Sequence, residues 1–347
     1  MTTTSTIGLD LAKSVFQVHG VDAEGNVTIK RQLKRKDVLG FFAKLPPCLI
    51  GMEACGTAHY WARELSRLGH RVKLIPPKDV KAYVRRGKTD AADAEAICEA
   101  VTRPRLKEVA VKSVEQQCAL MAHRVRATLI MQRTQTLNAI RSHLAELGLI
   151  APAGNEGAKE LLALVVDADA RLPAMARVAL VPMAAALAEI EASIATCDQT
   201  IVAAHKTNAT SQRLAKVPGV GVLTASAVSA TVTDPKAYKS GRSFAASLGL
   251  TPRITGTGGK VTLGPITKAG DSYLRRLLYL GAVAVLARVR RNPAKADPWL
   301  AGLLARLPFK QAAIALANKS ARIVWALLVR GEDYVARHLP AVPVASA

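Results

Sequence analysis

Aromatic residues are scarce in this chain, at 4% of 347 residues, and there are only five cysteines. So few aromatic side chains, beside abundant alanine and leucine, favour helices over a β-sandwich. The cysteines lie far apart and form no Cys-x-x-Cys pair, so the spacing predicts neither a disulfide framework nor a thiolate zinc site. We interpret them as reduced, mostly buried thiols of a cytosolic protein.

Long uncharged apolar runs are missing as well. Asp167 and Asp169 interrupt one candidate run, and Lys319 and Arg322 interrupt another. No segment reaches the roughly 18 uncharged apolar residues that a membrane span needs. The first ten residues carry neither the basic nor the apolar part of a secretory signal. We therefore expect a cytoplasmic protein without membrane association.

Acidic residues are few: the chain has 26 Asp and Glu and 48 Lys and Arg, which gives a formal net charge of +22. A surplus of this size repels itself in a compact chain, and a bound polyanion relieves the repulsion. Nucleic acid fits well, since each neutralised phosphate releases a condensed counterion. An anionic membrane surface is the alternative, but the charge is spread along the chain and not gathered on one amphipathic helix. The balance predicts a nucleic-acid-binding protein associated with the nucleoid.

Length and hydrophobic pattern predict an α/β plus α fold in three segments. Residues 1–110 begin with a run of strands and then alternate strands with helices, which predicts a mixed sheet. Residues 111–210 contain two long helical stretches, interpreted as an antiparallel coiled-coil linker, with two ordinary bundle helices as the alternative. Residues 211–347 are predicted to be mainly helical, with a Gly- and Thr-rich loop at 251–264.

Four acidic residues of the first segment form a candidate metal site. Asp10 and Glu53 each close an apolar strand, where a carboxylate is costly unless it is exposed at a cleft or bound to a cation. Asp90 and Asp93 are three residues apart at a helix start and project from one face. Converging carboxylates repel each other, and oxygen-rich sites of this kind suit Mg²⁺ or Mn²⁺. Two such ions about 4 Å apart would hold a scissile phosphate.

Each acid also has a structural interpretation. Asp93 could be a solvent-facing acid, and Asp90 could cap a helix after Thr89. Taken singly, the acids are better explained as structural. Taken together, two at strand ends and two on one helix face, they favour catalysis, because perturbed acids concentrate at active sites.

The order strand-Asp, strand-Glu and helical Asp-x-x-Asp resembles the RNase H-like fold of the RuvC Holliday-junction resolvases. The stretches IGLDLAK, GMEACGTAHYW and RGKTDAADAEAI are similar to those of DEDD-type insertion-sequence transposases, a family that includes the pilin-gene DNA invertases. Further along, KVPGVGVLTASAV, FAASLGLTPR, GGKVTLGPITKAGDSYLRRLLYLGA and ALANKSARIVWALL resemble the C-terminal transposase domain of that family.

The resemblance implies a RuvC-like N-terminal domain, a coiled-coil linker and a helical C-terminal transposase domain. It also implies Mg²⁺ on the four acids, and donor and target DNA that are cut and rejoined without target duplication. At least some members are guided by a structured, bridge-type RNA and act as tetramers. We therefore expect a guide RNA partner and a homo-oligomer between dimer and tetramer.

The resemblance further implies a serine nucleophile in a loop after a Gly-Leu-x-Pro-Arg stretch, and the matching position here is Thr257. A threonine hydroxyl can perform the same displacement, because activation depends on a neighbouring base or metal, although its branched side chain is stiffer. Three interpretations stay open: threonine is the natural nucleophile of a subgroup, this copy is impaired, or it has been altered. The first is favoured. Without the resemblance, Thr257 is better explained as a turn residue.

Contacts to nucleic acid are predicted at a glycine turn and at nearby cations. Gly219 and Gly221, in the stretch Pro-Gly-Val-Gly before a helix, resemble a helix-hairpin-helix turn whose backbone N–H groups approach a phosphate. The basic candidates flank the Thr257 loop and the acid pair, and they are Arg253, Lys260, Lys268, Arg275, Arg276 and Lys88. For each one alone, a solvated surface charge is an equally good interpretation.

Three functions compete at this point. The first is a transposase that joins DNA ends with the four acids and Thr257. The second is a metal-dependent, structure-specific nuclease such as a junction resolvase, which leaves the C-terminal segment unexplained. The third is a nucleic-acid-binding protein without catalysis, against which the retention of all four acids argues.

Overall fold

A computed structural model describes residues 3–84, 89–104, 106–167 and 169–335 of the chain. The chain divides into two compact units, Met1–Val114 and Glu115–Ala347. The long helices that the sequence placed in a separate linker fall almost entirely within the second unit. The division into three functional segments stays a prediction.

The first unit is an α/β unit built on one five-stranded sheet. Its strands are β1 (Thr6–Leu11), β2 (Val15–Val21), β3 (Val27–Lys34), β4 (Leu49–Glu53) and β5 (Arg71–Ile75), and its helices are α1 (Val38–Phe42), α2 (Ala58–Arg67), α3 (Pro77–Val80) and α4 (Asp90–Val101). The strand order is β3-β2-β1-β4-β5. Strands β1, β2 and β3 pair antiparallel, whereas β1, β4 and β5 pair parallel, so the predicted mixed sheet is confirmed.

The two faces of this sheet carry different helices. Leu9 and Met52 are fully buried on one face, where α1 and α2 complete the larger apolar core. On the other face α4 covers the sheet with Ile97 and Val101, which belong to a second, smaller cluster. Because side chains alternate along a strand, neighbouring residues of β1 and β4 contribute to opposite faces.

The second unit is mainly helical, as the sequence predicts. Its elements are α5 (Val114–Ala145), α6 (Asn155–Val166), α7 (Ala174–Lys206), α8 (Ala209–Ala215), α9 (Val222–Thr231), α10 (Gly241–Ser247), β6 (Pro252–Thr257), β7 (Lys260–Ile266), α11 (Ser272–Arg291), α12 (Pro298–Arg306) and α13 (Phe309–Arg330). Helices α8 to α13 share one large apolar core. The region 251–264, predicted as a loop, is instead an antiparallel hairpin of β6 and β7.

Helices α5 and α7 lie alongside each other in opposite directions. Arg126 of α5 donates to Asp198 of α7 at 2.5 and 3.3 Å, while Leu144 shares an apolar cluster with Leu180. His123 of α5 is buried between the side chains of Tyr273 on α11 and Ser226 on α9. Its Nδ1 lies 3.0 Å from the tyrosine Oη and its Nε2 lies 3.1 Å from the serine Oγ.

Two described helices, Ala174–Lys206 and Phe309–Arg330, are long and apolar enough to cross a membrane by length and composition alone. Several residues of Phe309–Arg330, including Ala313, Ala317 and Val324, are fully buried in the core of the second unit. That helix therefore uses its apolar face for packing.

Candidate active site

Two glycines bring α4 directly onto the sheet of the first unit. A Cβ atom on Gly8 would lie 2.1 Å from the carbonyl oxygen of Ala94 and 2.4 Å from the backbone nitrogen of Cys98. A Cβ atom on Gly51 would lie 2.7 Å from the Cβ of Val101. Real side chains do not approach so closely, so the helix can lie this near β1 and β4 only because both positions lack a side chain.

Asp10 and Glu53 extend from the same sheet face as these glycines. Each lies two positions after its glycine, and side chains of a strand return to the same face at every second residue. The intervening Leu9 and Met52 are paired in the parallel register and point into the opposite core. Asp10 and Glu53 therefore leave adjacent strands side by side at their carboxyl ends, and both are partly buried.

The first turn of α4 carries the other two acids, Asp90 and Asp93. Thr89 caps this helix, since its Oγ1 accepts the backbone N–H of Ala92 at 3.2 Å. The cap role that the sequence left open for Asp90 is thus filled by its neighbour. Carboxylates at a helix N-terminus are stabilised by the helix dipole, which offsets part of their mutual repulsion.

The electrostatics of Asp10 show that the other three acids influence it. Burial first, and then the negative charges of Asp93, Asp90 and Glu53, raise the pKa of Asp10 to about 6. Over residues 3–84, 89–104 and 106–114, no lysine or arginine forms an ion pair with any of the four. Among these described residues, the cluster is a concentration of negative charge without an ion-paired cation.

The donor set fits a hard divalent cation by its chemistry. All four candidate ligands are carboxylates, and Mg²⁺ and Mn²⁺ prefer oxygen. A bound cation would also relieve the repulsion that raises the pKa of Asp10. Within the described part of the chain, however, no three His, Cys, Asp or Glu side chains are gathered closely enough to ligate one ion as they stand.

Thr257 lies at the end of β6, on the hairpin of the second unit. All six residues of β6 and six of the seven in β7 are exposed. Thr257 pairs with Lys260 across a two-residue turn, where Gly258 and Gly259 have φ angles of 56° and 79°. Two positive φ angles define a tight hairpin turn that glycine adopts readily. Among the described residues, no side chain forms a hydrogen bond with the Thr257 hydroxyl.

The basic candidates near this hairpin fall into two groups. Arg253 and Lys260 on the hairpin, Lys268 after it and Arg276 on α11 are all exposed. Arg275 instead donates to the carbonyl oxygens of Leu248 and Ala269 at 2.9 and 3.0 Å, so its guanidinium braces the loop before α11. Lys88, the remaining candidate, lies outside the described residues.

Comparison with known proteins identifies the family. A model described as the transposase IS116/IS110/IS902 family matches residues 211–297, and a DEDD transposase model of the IS110 type matches residues 7–148. A probable family 20 transposase of Pseudomonas aeruginosa is 51% identical over 95% of this chain and 98% of its own length. The chain belongs to the IS116/IS110/IS902 transposase family. The resemblance found in the sequence is thereby confirmed.

Two further relatives agree with this assignment. The transposase for insertion sequence element IS1328 of Yersinia enterocolitica is 37% identical over 94% of this chain and 97% of its own length. The transposase for insertion sequence element IS1111A of Coxiella burnetii is 38% identical over 94% of this chain and 90% of its own length. The two matched regions of this transposase include all four candidate acids and Thr257.

The glycine turn of the transposase has a packing role that the sequence did not reveal. Gly219 has a φ angle of 80°, and a Cβ on Gly281 of α11 would lie 1.8 Å from the Gly219 carbonyl oxygen. The turn therefore lies against α11. Gly221 is exposed at the start of α9. Among the described residues, no side chain caps the first backbone N–H groups of that helix.

Sequence reasoning missed the glycines at positions 8 and 51 as elements of the site. They carry no functional group, but they set the height of α4 above the sheet and so the distance from Asp93 to Asp10. A Gly-x-Asp and a Gly-x-Glu at the ends of two apolar strands are the signal that could have revealed them.

Proposed function

We propose that this transposase cuts and rejoins DNA at a divalent-metal site on Asp10, Glu53, Asp90 and Asp93, with the Thr257 hydroxyl as nucleophile. The observation that carries the proposal is that the negative charges of three other carboxylates act on partly buried Asp10, whose pKa is raised to about 6. Such a cluster is a poor structural element and a good cation site. Membership of a transposase family supports DNA as the substrate.

We assign the first unit to the RNase H-like, RuvC-like fold. The mixed order β3-β2-β1-β4-β5, with acids at the carboxyl ends of two central parallel strands, supports this assignment. The second unit would supply the coiled-coil arm through α5 and α7 and the transposase domain through α8 to α13.

Different residues would bind the metal ion, attack the phosphate and hold the DNA. Asp10, Glu53, Asp90 and Asp93 would hold Mg²⁺ or Mn²⁺, and the bound ion would stabilise charge on a phosphate oxygen. Thr257 would attack phosphorus through Oγ1, forming a covalent ester with one DNA end while the bond to the departing oxygen breaks. Exposed Arg253, Lys260, Lys268 and Arg276, with Lys88, would neutralise DNA phosphates. Gly219, Gly221 and the start of α9 would receive a phosphate on backbone N–H groups.

The partners follow from the same proposal. They are donor and target DNA, a structured guide RNA, and further copies of the chain in a dimer or tetramer. The net charge of +22 supports polyanionic partners. We place the activity in the cytoplasm, at the nucleoid.

A suicide DNA substrate that traps covalent intermediates tests this function. Wild type and Thr257→Ser should form a protein–DNA adduct in Mg²⁺, and Thr257→Val, which keeps the shape but lacks the hydroxyl, should form none. Asp10→Asn should abolish both adduct and strand breaks. Strand breaks without an adduct in wild type and Thr257→Val alike would instead identify a structure-specific nuclease. Salt-sensitive binding that ignores Mg²⁺ and breaks no strand would identify a non-catalytic binding protein.

A further inference from the structure

A cleft of about 570 Å³ lies on the first unit, lined by Arg35, Lys36, Leu39, Tyr60 and Trp61. We call it the Tyr60 cleft. It is formed by the turn Arg35–Asp37 that follows β3 and by the start of α2. Its volume falls in the range of roughly 300–1,000 Å³ that small ligands and single nucleotides occupy.

The cleft combines aromatic rings with two basic side chains. Tyr60 is 43% exposed and packs edge-on against Trp61, with ring centroids 5.2 Å apart. The Arg35 guanidinium lies 5.2 Å from the centroid of the Trp61 ring. Over the described residues of this unit, no carboxylate forms an ion pair with Arg35 or Lys36. Aromatic rings and guanidinium planes are the surfaces on which unpaired bases stack, and cations bind the adjoining phosphates.

A second observation concerns the indole of Trp61. The residue is only 3% exposed, and its Nε1 has no hydrogen-bond partner among the described residues. A buried indole N–H without an acceptor is costly to the folded state.

The cleft lies on the sheet face opposite to the acids. Trp61 and Phe16, whose rings are 5.0 Å apart, belong to the core under α1 and α2, whereas Asp10 extends towards α4. A nucleic acid bound in the cleft would therefore be separated from the acids by the sheet. This suits a nucleic acid that is held without being cut.

We propose that the Tyr60 cleft binds an unpaired nucleotide of single-stranded RNA, with its base on Tyr60 and its phosphate on Arg35 and Lys36. The choice of RNA rests on the guide RNA in the function proposed above. It is also favoured by chemistry, because structured RNA presents unpaired bases in its loops, whereas duplex DNA keeps its bases stacked and paired. Arg31, whose guanidinium lies 5.7 Å from the Phe41 ring on the same sheet face, extends the positive surface.

Fluorescence anisotropy on the full chain tests this proposal. The probes are a labelled unstructured RNA, the DNA of the same sequence and the corresponding duplex DNA, all in EDTA so that no strand is cut. Tyr60→Ala should weaken RNA binding by about 5- to 150-fold, the range for loss of one stacked base. Tyr60→Phe, which keeps the ring, should bind like wild type. Arg35→Gln should weaken binding and flatten its salt dependence.

Lys34→Gln is the matched control, because it removes the same charge from an exposed position of β3 that faces away from the cleft. It should leave RNA affinity within about twofold of wild type, since a single solvated cation contributes little. Thermal melting confirms that each variant is folded. Asp10→Asn should retain full RNA binding, so failed cleavage and failed RNA binding remain separate results.

Equal RNA affinity of wild type, Tyr60→Ala and Arg35→Gln would overturn the proposal. If Tyr60→Ala and Arg35→Gln lose as much affinity for single-stranded DNA as for RNA, RNA is the wrong assignment. Displacement of RNA by polyglutamate at equal charge would also overturn it, since the cleft would then recognise only negative charge and would suit an acidic protein equally well.

Discussion

Replacing Gly8 by alanine should damage the acid cluster without touching an acid. The added Cβ would lie 2.1 Å from the Ala94 carbonyl oxygen, whereas ordinary contact begins near 3.4 Å, so α4 must retreat by about 1.3 Å, the difference of the two distances. Over-packing of this kind costs about 1–3 kcal/mol of stability. A shift of about 1 Å at an active site costs about 100-fold in rate. Asp90 and Asp93, at the start of α4, would move with the helix.

Two measurements check this prediction. Urea unfolding should show the loss of stability, and recombination of a plasmid carrying the ends of the element should show the loss of activity at a temperature where the variant is folded. Gly40→Ala is the matched control, because Gly40 is exposed in α1 and a Cβ there meets nothing within 4 Å. It should be neutral or slightly stabilising. Full activity and unchanged stability of Gly8→Ala would refute the argument that the glycine sets the position of α4.

Two further predictions concern the second unit. Burial first, and then the charge of Arg126, lower the pKa of His123 from 6.5 to about 4. Between these two pH values the unfolded chain binds a proton at His123 and the folded chain does not, so the free energy of unfolding should fall as the pH falls. Between pH 7.5 and 5 the loss should be about 2 kcal/mol in urea unfolding, and a His123→Gln variant that shows the same pH dependence would contradict the assignment. Gly281→Ala should destabilise this unit by about 1–3 kcal/mol, because its Cβ would lie 1.8 Å from the Gly219 carbonyl oxygen. Differential scanning calorimetry measures this, and an unchanged melting temperature would show that the turn can move.

The sequence was sufficient for the elements that local pattern determines. The run of strands in residues 1–110 predicted the mixed sheet, and helical spacing in residues 111–210 predicted the two long helices that are α5 and α7. Asp10 and Glu53 could be placed at strand ends because each follows an unbroken apolar run. The four acids were grouped from their positions taken together, although nothing in local spacing says which face of the sheet α4 covers.

The remaining features depend on contacts between distant residues. The close approach of Ala94 to Gly8 cannot be read from local sequence, because the two residues lie far apart along the chain and meet only where α4 packs on the sheet. The hairpin of β6 and β7 was taken for a loop because of its many Gly and Thr residues, although Gly258-Gly259 between alternating residues is a hairpin signal. Arg275 was grouped with surface cations, and only the fold shows its bonds to backbone carbonyls.

Binding of Mn²⁺ to the full chain tests the four-carboxylate site most directly, because it needs neither DNA nor a guide RNA. Titration followed by electron paramagnetic resonance should show a site that Asp10→Asn and Asp93→Asn each weaken by about tenfold or more. Affinity should also fall as the pH drops below about 6, where Asp10 takes up a proton. Glu99→Gln, an exposed acid on the same helix, should bind Mn²⁺ like wild type. Equal Mn²⁺ affinity in all four proteins would contradict a metal site at these acids.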